Sequence, residues 1–227
     1  RASDDAAGPT PAVVRAGGGV SALAVTRVAN ACALLQFDDD VVLTDPWFTE
    51  HWYLHRGERL GRTPRDLPRL AAILGSHLFV NHWDMRAFAE YPHKRETMVI
   101  ACNARMARSA RGAGFTDVRE TAPGDEIAIS ERVRLEVLPA GTGSAAANRN
   151  YVLNTDEVRV LFGGEALDVG AIARYGAIHP PVDVALLPVN GAGVWLGQRL
   201  VMNAREAVEA AAATGARTQV ASAPSMS

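Results

Sequence analysis

Short apolar runs alternate with amphipathic stretches along the chain, and turn residues separate them. Ala22 to Val28, Ala31 to Phe37 and Val41 to Thr44 are β-prone, with the acidic triplet Asp38-Asp39-Asp40 as the turn of a hairpin between the last two. Leu70 to Leu74 reads as a buried strand. Met98 to Ala101, Val118 to Glu120, Glu126 to Ile129, Val133 to Leu138, Tyr151 to Thr155, Val158 to Phe162 and Val182 to Pro188 read as further strands. Helices are expected over Met85 to Tyr91, over Ala104 to Ala113 with a stop at Gly114, over Asp168 to Tyr175, and over Ala204 to Thr214. The last has a clear start, because Asn203 followed three residues later by Glu206 is a capping box. Strands and helices fall into two similar halves. That order suits an α/β (α+β type) fold with four layers, an αββα sandwich.

Composition narrows this picture. A chain of 227 residues with 48% hydrophobic content can bury one large core. Residues 20–227 are read as a single domain, and the Ala-, Gly- and Pro-rich stretch 1–19 as a loose leader without an apolar h-region. A formal charge of −2, with no block of like charge, argues against nucleic acid or an anionic membrane as partner. No run is apolar enough for a transmembrane span. Cys32 and Cys102 lack metal-ligand spacing and sit in apolar runs, so they are read as reduced core thiols, which fits a cytoplasmic location.

Candidate chemistry concentrates in Ser76-His77-Leu78-Phe79-Val80-Asn81-His82-Trp83-Asp84, directly after the apolar run Leu70 to Leu74. A strand that ends in a loop bearing two histidines is a common way to present imidazoles to a metal. The segment resembles the His-x-His-x-Asp-His loop of the metallo-β-lactamase superfamily, in its single-domain hydrolase-like branch. His77 and His82 match that loop, while Phe79 and Asn81 depart from it. Leu43-Thr44-Asp45-Pro46-Trp47 is similar to the family's strand-ending Thr-Asp-Pro-Trp, which implies that Asp45 supports the site from behind the ligands. Val137 to Gly143 resembles the strand that delivers a further histidine, here Thr142. Leu161 to Ala166 resembles the Gly-Asp-Thr turn with its bridging aspartate, here Glu165. Gln219 to Ala223 resembles the last strand, where Ala223 takes the place of histidine. Of the six histidines, His51, His55, His77, His82 and His93 lie in the first half and only His179 in the second. The resemblance therefore implies the metallo-β-lactamase fold without its usual pair of zinc ions.

Three functions stay open at this point. The first is a metal-independent enzyme that needs no cofactor, in which His77, His82 and Glu165 move protons on a small-molecule substrate. Its reaction would be isomerisation, elimination, cyclisation or hydrolysis. The Ala-, Arg- and Gly-rich composition of a high-GC bacterial genome places it by analogy in natural-product biosynthesis. The second is a mononuclear-metal hydrolase using His77, His82 and Glu165. Against it stands the family geometry, in which His77 serves one metal and His82 the other. The third is a ligand-binding pseudoenzyme. Asn81, Thr142 and Asn190 are expected to hold substrate, with Phe79 facing the pocket and His55, Trp52 and Tyr53 on a covering loop that suits an apolar or ring-bearing ligand. Asp45 and Asp84 are expected to brace the site. A homodimer covering the edge of the last strand is compatible with the pattern.

Overall fold

Aliphatic and β-branched residues alternate in and out of two sheets, and the strands they form match the predicted ones to within one or two residues. The computed structural model describes residues 12–15, 22–56, 60–141, 147–193 and 199–222. The first sheet runs in sequence order: β1 (Ala12–Arg15), β2 (Ala22–Ala29), β3 (Cys32–Phe37), β4 (Asp40–Thr44), β5 (Ala72–Leu74), β6 (Met98–Ala101) and β7 (Asp117–Glu120). β1 to β4 pair antiparallel and β4 to β7 parallel. The second sheet holds β8 (Glu126–Ala128), β9 (Arg134–Pro139), β10 (Arg149–Asn154), β11 (Arg159–Phe162), β12 (Val184–Pro188) and β13 (Thr218–Ser222). It too is antiparallel at first, then parallel from β11 to β13.

The inner faces of the sheets meet over Leu35, Val42, Leu74 and Ile100 on one side and Val137, Tyr151, Phe162 and Leu186 on the other, all at most 1% exposed. Each such side chain contributes roughly 1.5–3 kcal/mol by leaving water. Helix α1 (Ala104–Gly112) covers the outer face of the first sheet, and α2 (Val169–Gly176) and α3 (Ala204–Ala213) cover that of the second. This is the four-layer αββα arrangement. Asn103 caps α1 by accepting from the amides of Arg105 and Met106, and the α3 capping box is present, with both Asn203 and Glu206 in place.

Two local expectations are corrected. Met85–Glu90 winds as a 3₁₀ helix rather than an α-helix. The segment is short, Tyr91 precedes a proline, and Asp84 spends its side chain on another loop instead of capping this one. Within the segment read as a loose leader, Ala12–Arg15 pairs with β2, since two valines in a row suffice for a short edge strand.

Both cysteines are buried and free. Burial pushes the Cys32 thiol up to about 12 and the Cys102 thiol up to about 11. The native protein is therefore expected to resist a thiol-alkylating reagent at neutral pH, and both thiols should react once denaturant is added. Rapid modification of either thiol in the folded chain would contradict this placement.

Candidate active site

The parallel strands of both sheets end on one side of the sandwich, where an α/β architecture leaves its crevice. Asp45 follows β4, Ser76 to His82 follow β5, Glu165 follows β11 and Asn190 follows β12. Four separate strands thus deliver polar residues to that side.

The histidine loop is anchored at its base from both sheets. Gly75 N donates to Ile100 O at 3.1 Å, Tyr151 Oη from the second sheet donates to Gly75 O at 2.8 Å, and Arg149 N donates to Ser76 O at 2.9 Å. Gly75 has no room for a side chain, because a Cβ there would run into the Trp83 ring. Trp83 is core packing, as its burial and its 2.7 Å bond to Ser109 Oγ show.

Asp45 is fully buried and sits at φ 33, a strained setting for a non-glycine residue. Its environment holds it there. The backbone amide donates to Leu74 O, Oδ1 accepts Ser76 N at 2.7 Å, and Oδ2 accepts Ser76 Oγ at 2.6 Å. Oδ2 also lies 2.7 Å from His82 Nδ1. Gly164 allows the Glu165 turn to press onto this group, since a Cβ at Gly164 would stand 2.7 Å from Asp45 Oδ2 and collide with Ser76.

Glu165 closes the arrangement from the second sheet. Its Oε2 lies 3.0 Å from His77 Nε2 and its Oε1 lies 3.3 Å from His82 Nε2, with the two imidazole centroids 4.1 Å apart. Burial pulls the pKa of His82 down, but Asp45 and then Glu165 outweigh it and raise it to about 9. Burial also pushes the Glu165 carboxyl up, and the two adjacent imidazoles more than reverse this, holding it well below the usual carboxylate range.

Asp45, His77 and His82 each bring a potential ligand atom within 4.8 Å of the other two. The Asp45 oxygens, however, already accept two donors of Ser76 and meet one imidazole, while Glu165 is a second carboxylate that faces both rings. His77 Nε2 is buried and has no directed hydrogen bond despite its 3.0 Å approach to Glu165. Two atoms bound to one zinc at about 2.0–2.2 Å stand roughly 3.0–3.5 Å apart, and both imidazole–carboxylate spacings fall in that window. Each imidazole–Glu165 spacing is thus compatible with a shared divalent ion, the two running to different oxygens of the carboxylate. The dinuclear set does not fit, because Phe79 cannot ligate and Asn81 offers only a neutral amide oxygen.

Around this centre the other predicted residues divide. Asn81 is buried, and its Oδ1 has no hydrogen-bond partner among the described residues. Phe79 is 59% exposed and stacks beside His77 with centroids 6.3 Å apart. Asp84 Oδ2 accepts the amides of Phe48 and Thr49, tying the loop that carries Trp52 and Tyr53 to the histidine loop. Trp52 is 88% exposed and Tyr53 56%. His55 is exposed and faces Glu50 at 3.8 Å, and Asn190 uses its Oδ1 on the amide of Ala192, so neither is brought to the imidazoles by a contact in the structure. Thr142 and Ala223 lie outside the described residues. Reading the sequence assigned no role to Ser76 or Gly164, although a serine directly before the first histidine and a Gly-Gly pair before Glu165 were visible signals.

Residues 41–222 match the beta-lactamase superfamily domain. The chain belongs to the metallo-β-lactamase superfamily. It matches none of the curated proteins with which it was compared. Among solved structures it resembles an isothiocyanate hydrolase from Delia radicum gut bacteria, at 19% identity and TM-score 0.69, over 88% of this chain and 84% of that one. CmlA, a diiron β-hydroxylase from Streptomyces venezuelae, aligns at 18% identity and TM-score 0.69 over 88% of this chain and 44% of its own. The metallo-β-lactamase fold protein YhfI from Bacillus subtilis aligns at 14% identity and TM-score 0.65, over 96% and 86%. At such identities the likeness speaks for the fold. Within that fold, this superfamily member keeps one imidazole from each side of the histidine loop and a glutamate between them. No helix among the described residues is long and apolar enough to cross a membrane.

Proposed function

We propose that this superfamily member is a hydrolase for a small, ring-bearing substrate, built around a single divalent cation held by His77, His82 and Glu165. The observation that carries this reading is the buried His77 Nε2, which faces a carboxylate oxygen at 3.0 Å without a directed hydrogen bond. A divalent ion held there would supply Lewis acidity toward an electrophilic carbon or phosphorus.

The remaining work belongs to the chain. Asp45 fixes the His82 ring through Nδ1 and is itself locked by Ser76. Asn81 has a buried amide whose oxygen meets no partner among the described residues, and in this reading it accepts a hydrogen bond from a polar substrate group. Phe79, Trp52 and Tyr53 are three of the five large hydrophobic side chains exposed among the described residues, and all three lie on loops tied to the site. Such a cluster suits a planar apolar group on the substrate. Trp52→Ala and Phe79→Ala are thus expected to raise KM several-fold for an aryl substrate while changing kcat less. An unchanged KM in both would remove the aromatic loops from substrate binding.

A second reading rests on a separate observation. His82 lies between two carboxylates and carries a proton with a pKa of about 9, so a proton can occupy the place of the ion. Then His77, His82 and Glu165 would act as a metal-independent acid–base set, contributing typically about 10²–10⁴-fold.

A panel of aryl lactones, aryl phosphodiesters and aryl isothiocyanates, assayed before and after chelation, separates the two. Turnover that chelator abolishes and zinc, iron or manganese restores supports the cation-centred hydrolase. Turnover that persists in excess chelator supports the metal-independent reading. The panel includes isothiocyanates because one structural relative hydrolyses them.

A further inference from the structure

Helix α1 turns a basic face to solvent. Between Glu96 and Asp117 the chain has no acidic residue, and Arg105, Arg108 and Arg111, all exposed, follow at intervals of three on that helix. Three residues rise about 4.5 Å, so these positions form a row roughly 9 Å long. The 3₁₀ helix Met85–Glu90 and the turn after it lie alongside. Trp83 Nε1 donates to Ser109 Oγ at 2.7 Å, the Phe88 and Phe115 rings meet at 5.7 Å, and the Lys94 side chain packs over Gly114. These contacts add Arg86, Lys94 and Arg95 to the same surface.

The charge is not cancelled locally. Arg86, Arg95, Arg105 and Arg108 have neither an ion pair nor a side-chain hydrogen bond among the described residues. Lys94 and Arg111 donate to the carbonyls of Ala89 and Val118, which hold the cations in place and leave their charge. Of the nearby acids, Glu96 is engaged by Arg69 and Asp117 by Arg119, which leaves Glu90. Residues 60–119 hold 10 of the chain's 23 basic residues and 5 of its 25 acidic ones, so a formal +5 here stands against −7 in the rest. Local stability does not explain the pattern. Arg105 sits in the first turn of α1, where the helix dipole favours an acid, and like charges three apart on one helix repel.

We infer that this face is a docking surface for the acidic side of a helix on another protein. Five of the six cations are arginines, whose planar forks pair with carboxylates and which protein interfaces favour over lysine. A row at helical spacing suits carboxylates three or four apart on a partner helix. None of the large exposed hydrophobic side chains lies here, so this face has nothing to insert into a bilayer or to stack on a base. The surface is independent of what the site holds.

The test is titration of the full chain at low salt with a helical peptide carrying glutamate at every third or fourth position, followed through backbone amide spectra. Shifts are expected on α1 and on Arg86 to Arg95, with affinity falling as salt rises. Arg105→Glu combined with Arg108→Glu should weaken binding at least tenfold, whereas Arg205→Glu on α3, in the opposite outer layer, should not. Arg105→Glu alone should also raise the melting temperature by about 1–3 °C, by relieving repulsion within α1. A melting temperature that stays or falls would mean that the arginine serves the fold, and peptide shifts that are absent or spread over the whole chain would mean that no such surface exists; either overturns the inference. So would tighter binding at this face of a short DNA duplex or of phosphatidylglycerol vesicles, which assigns it to another class of partner, or a homodimer that dissociates in the double variant.

Discussion

Replacing Asp45 with alanine is expected to produce the largest loss of stability of any single change at the site. The substitution strands three buried donors at once: Ser76 N–H, Ser76 Oγ–H and His82 Nδ1–H. Each unsatisfied buried donor costs about 1–3 kcal/mol, and the imidazole loses the anion that offsets its burial. A total of roughly 3–5 kcal/mol, allowing for relaxation, is a large part of the ~5–15 kcal/mol that holds a typical domain together. Denaturant unfolding should show a midpoint far below wild type. Asp45→Asn has a different signature. Its amide keeps the shape, but an NH₂ at the Oδ2 position meets two donors, so His82 is driven to carry its proton on Nε2. We expect a folded protein with activity reduced about 10³-fold or more, the scale known for a wrong imidazole tautomer in other enzymes. A stable Asp45→Ala protein with wild-type activity would show that Asp45 does not organise the site.

Glu165→Gln is expected to remove the function and to leave the chain folded, because Asp45 still holds His82. Glu165 is partly accessible, with its side chain 20% exposed, and its two oxygens face the imidazoles of His77 and His82. The amide is the same size but carries no charge and ligates weakly. Bound metal should fall to background and hydrolysis with it, while the metal-free protein stays folded at a lowered melting temperature, because His82 loses one of the two anions that offset its burial. Glu165→Ala should behave alike, since the carboxylate and not the side-chain length is what matters. If Glu165→Gln retains both metal and turnover, the carboxylate has another role.

The fold was legible because its signals were long-range and redundant. Apolar runs at Leu70 to Leu74, Val158 to Phe162 and Val182 to Pro188 each become strands of a buried sheet, and Asn203 with Glu206 announces α3. What escaped detection was local. Met85–Glu90 has helical spacing but too few residues and no cap, so tertiary contacts tighten it into a 3₁₀ turn. Ala12–Arg15 is a strand because β2 offers a partner, which no pattern within four residues can reveal. At the site, His77, His82, Glu165 and Asp45 were identifiable, because a resemblance assigns them to one loop and two strand ends. Their relations were not. That Asp45 binds serine and imidazole at once, or that Glu165 faces both rings, depends on which strands are neighbours and on the absence of a side chain at Gly164. Ser76 stayed hidden because a serine beside a histidine is commonplace until its hydroxyl is seen to meet Asp45. Asn190 and His55 each have a local partner, Ala192 and Glu50, that their sequence positions do not reveal.

Elemental analysis of the full-length protein, purified without chelator and dialysed against metal-free buffer, bears most directly on the cation-centred reading. The arrangement of His77, His82 and Glu165 predicts close to one divalent metal per chain in wild type and none in Glu165→Gln. Wild-type protein that hydrolyses its substrate with no metal bound would contradict it.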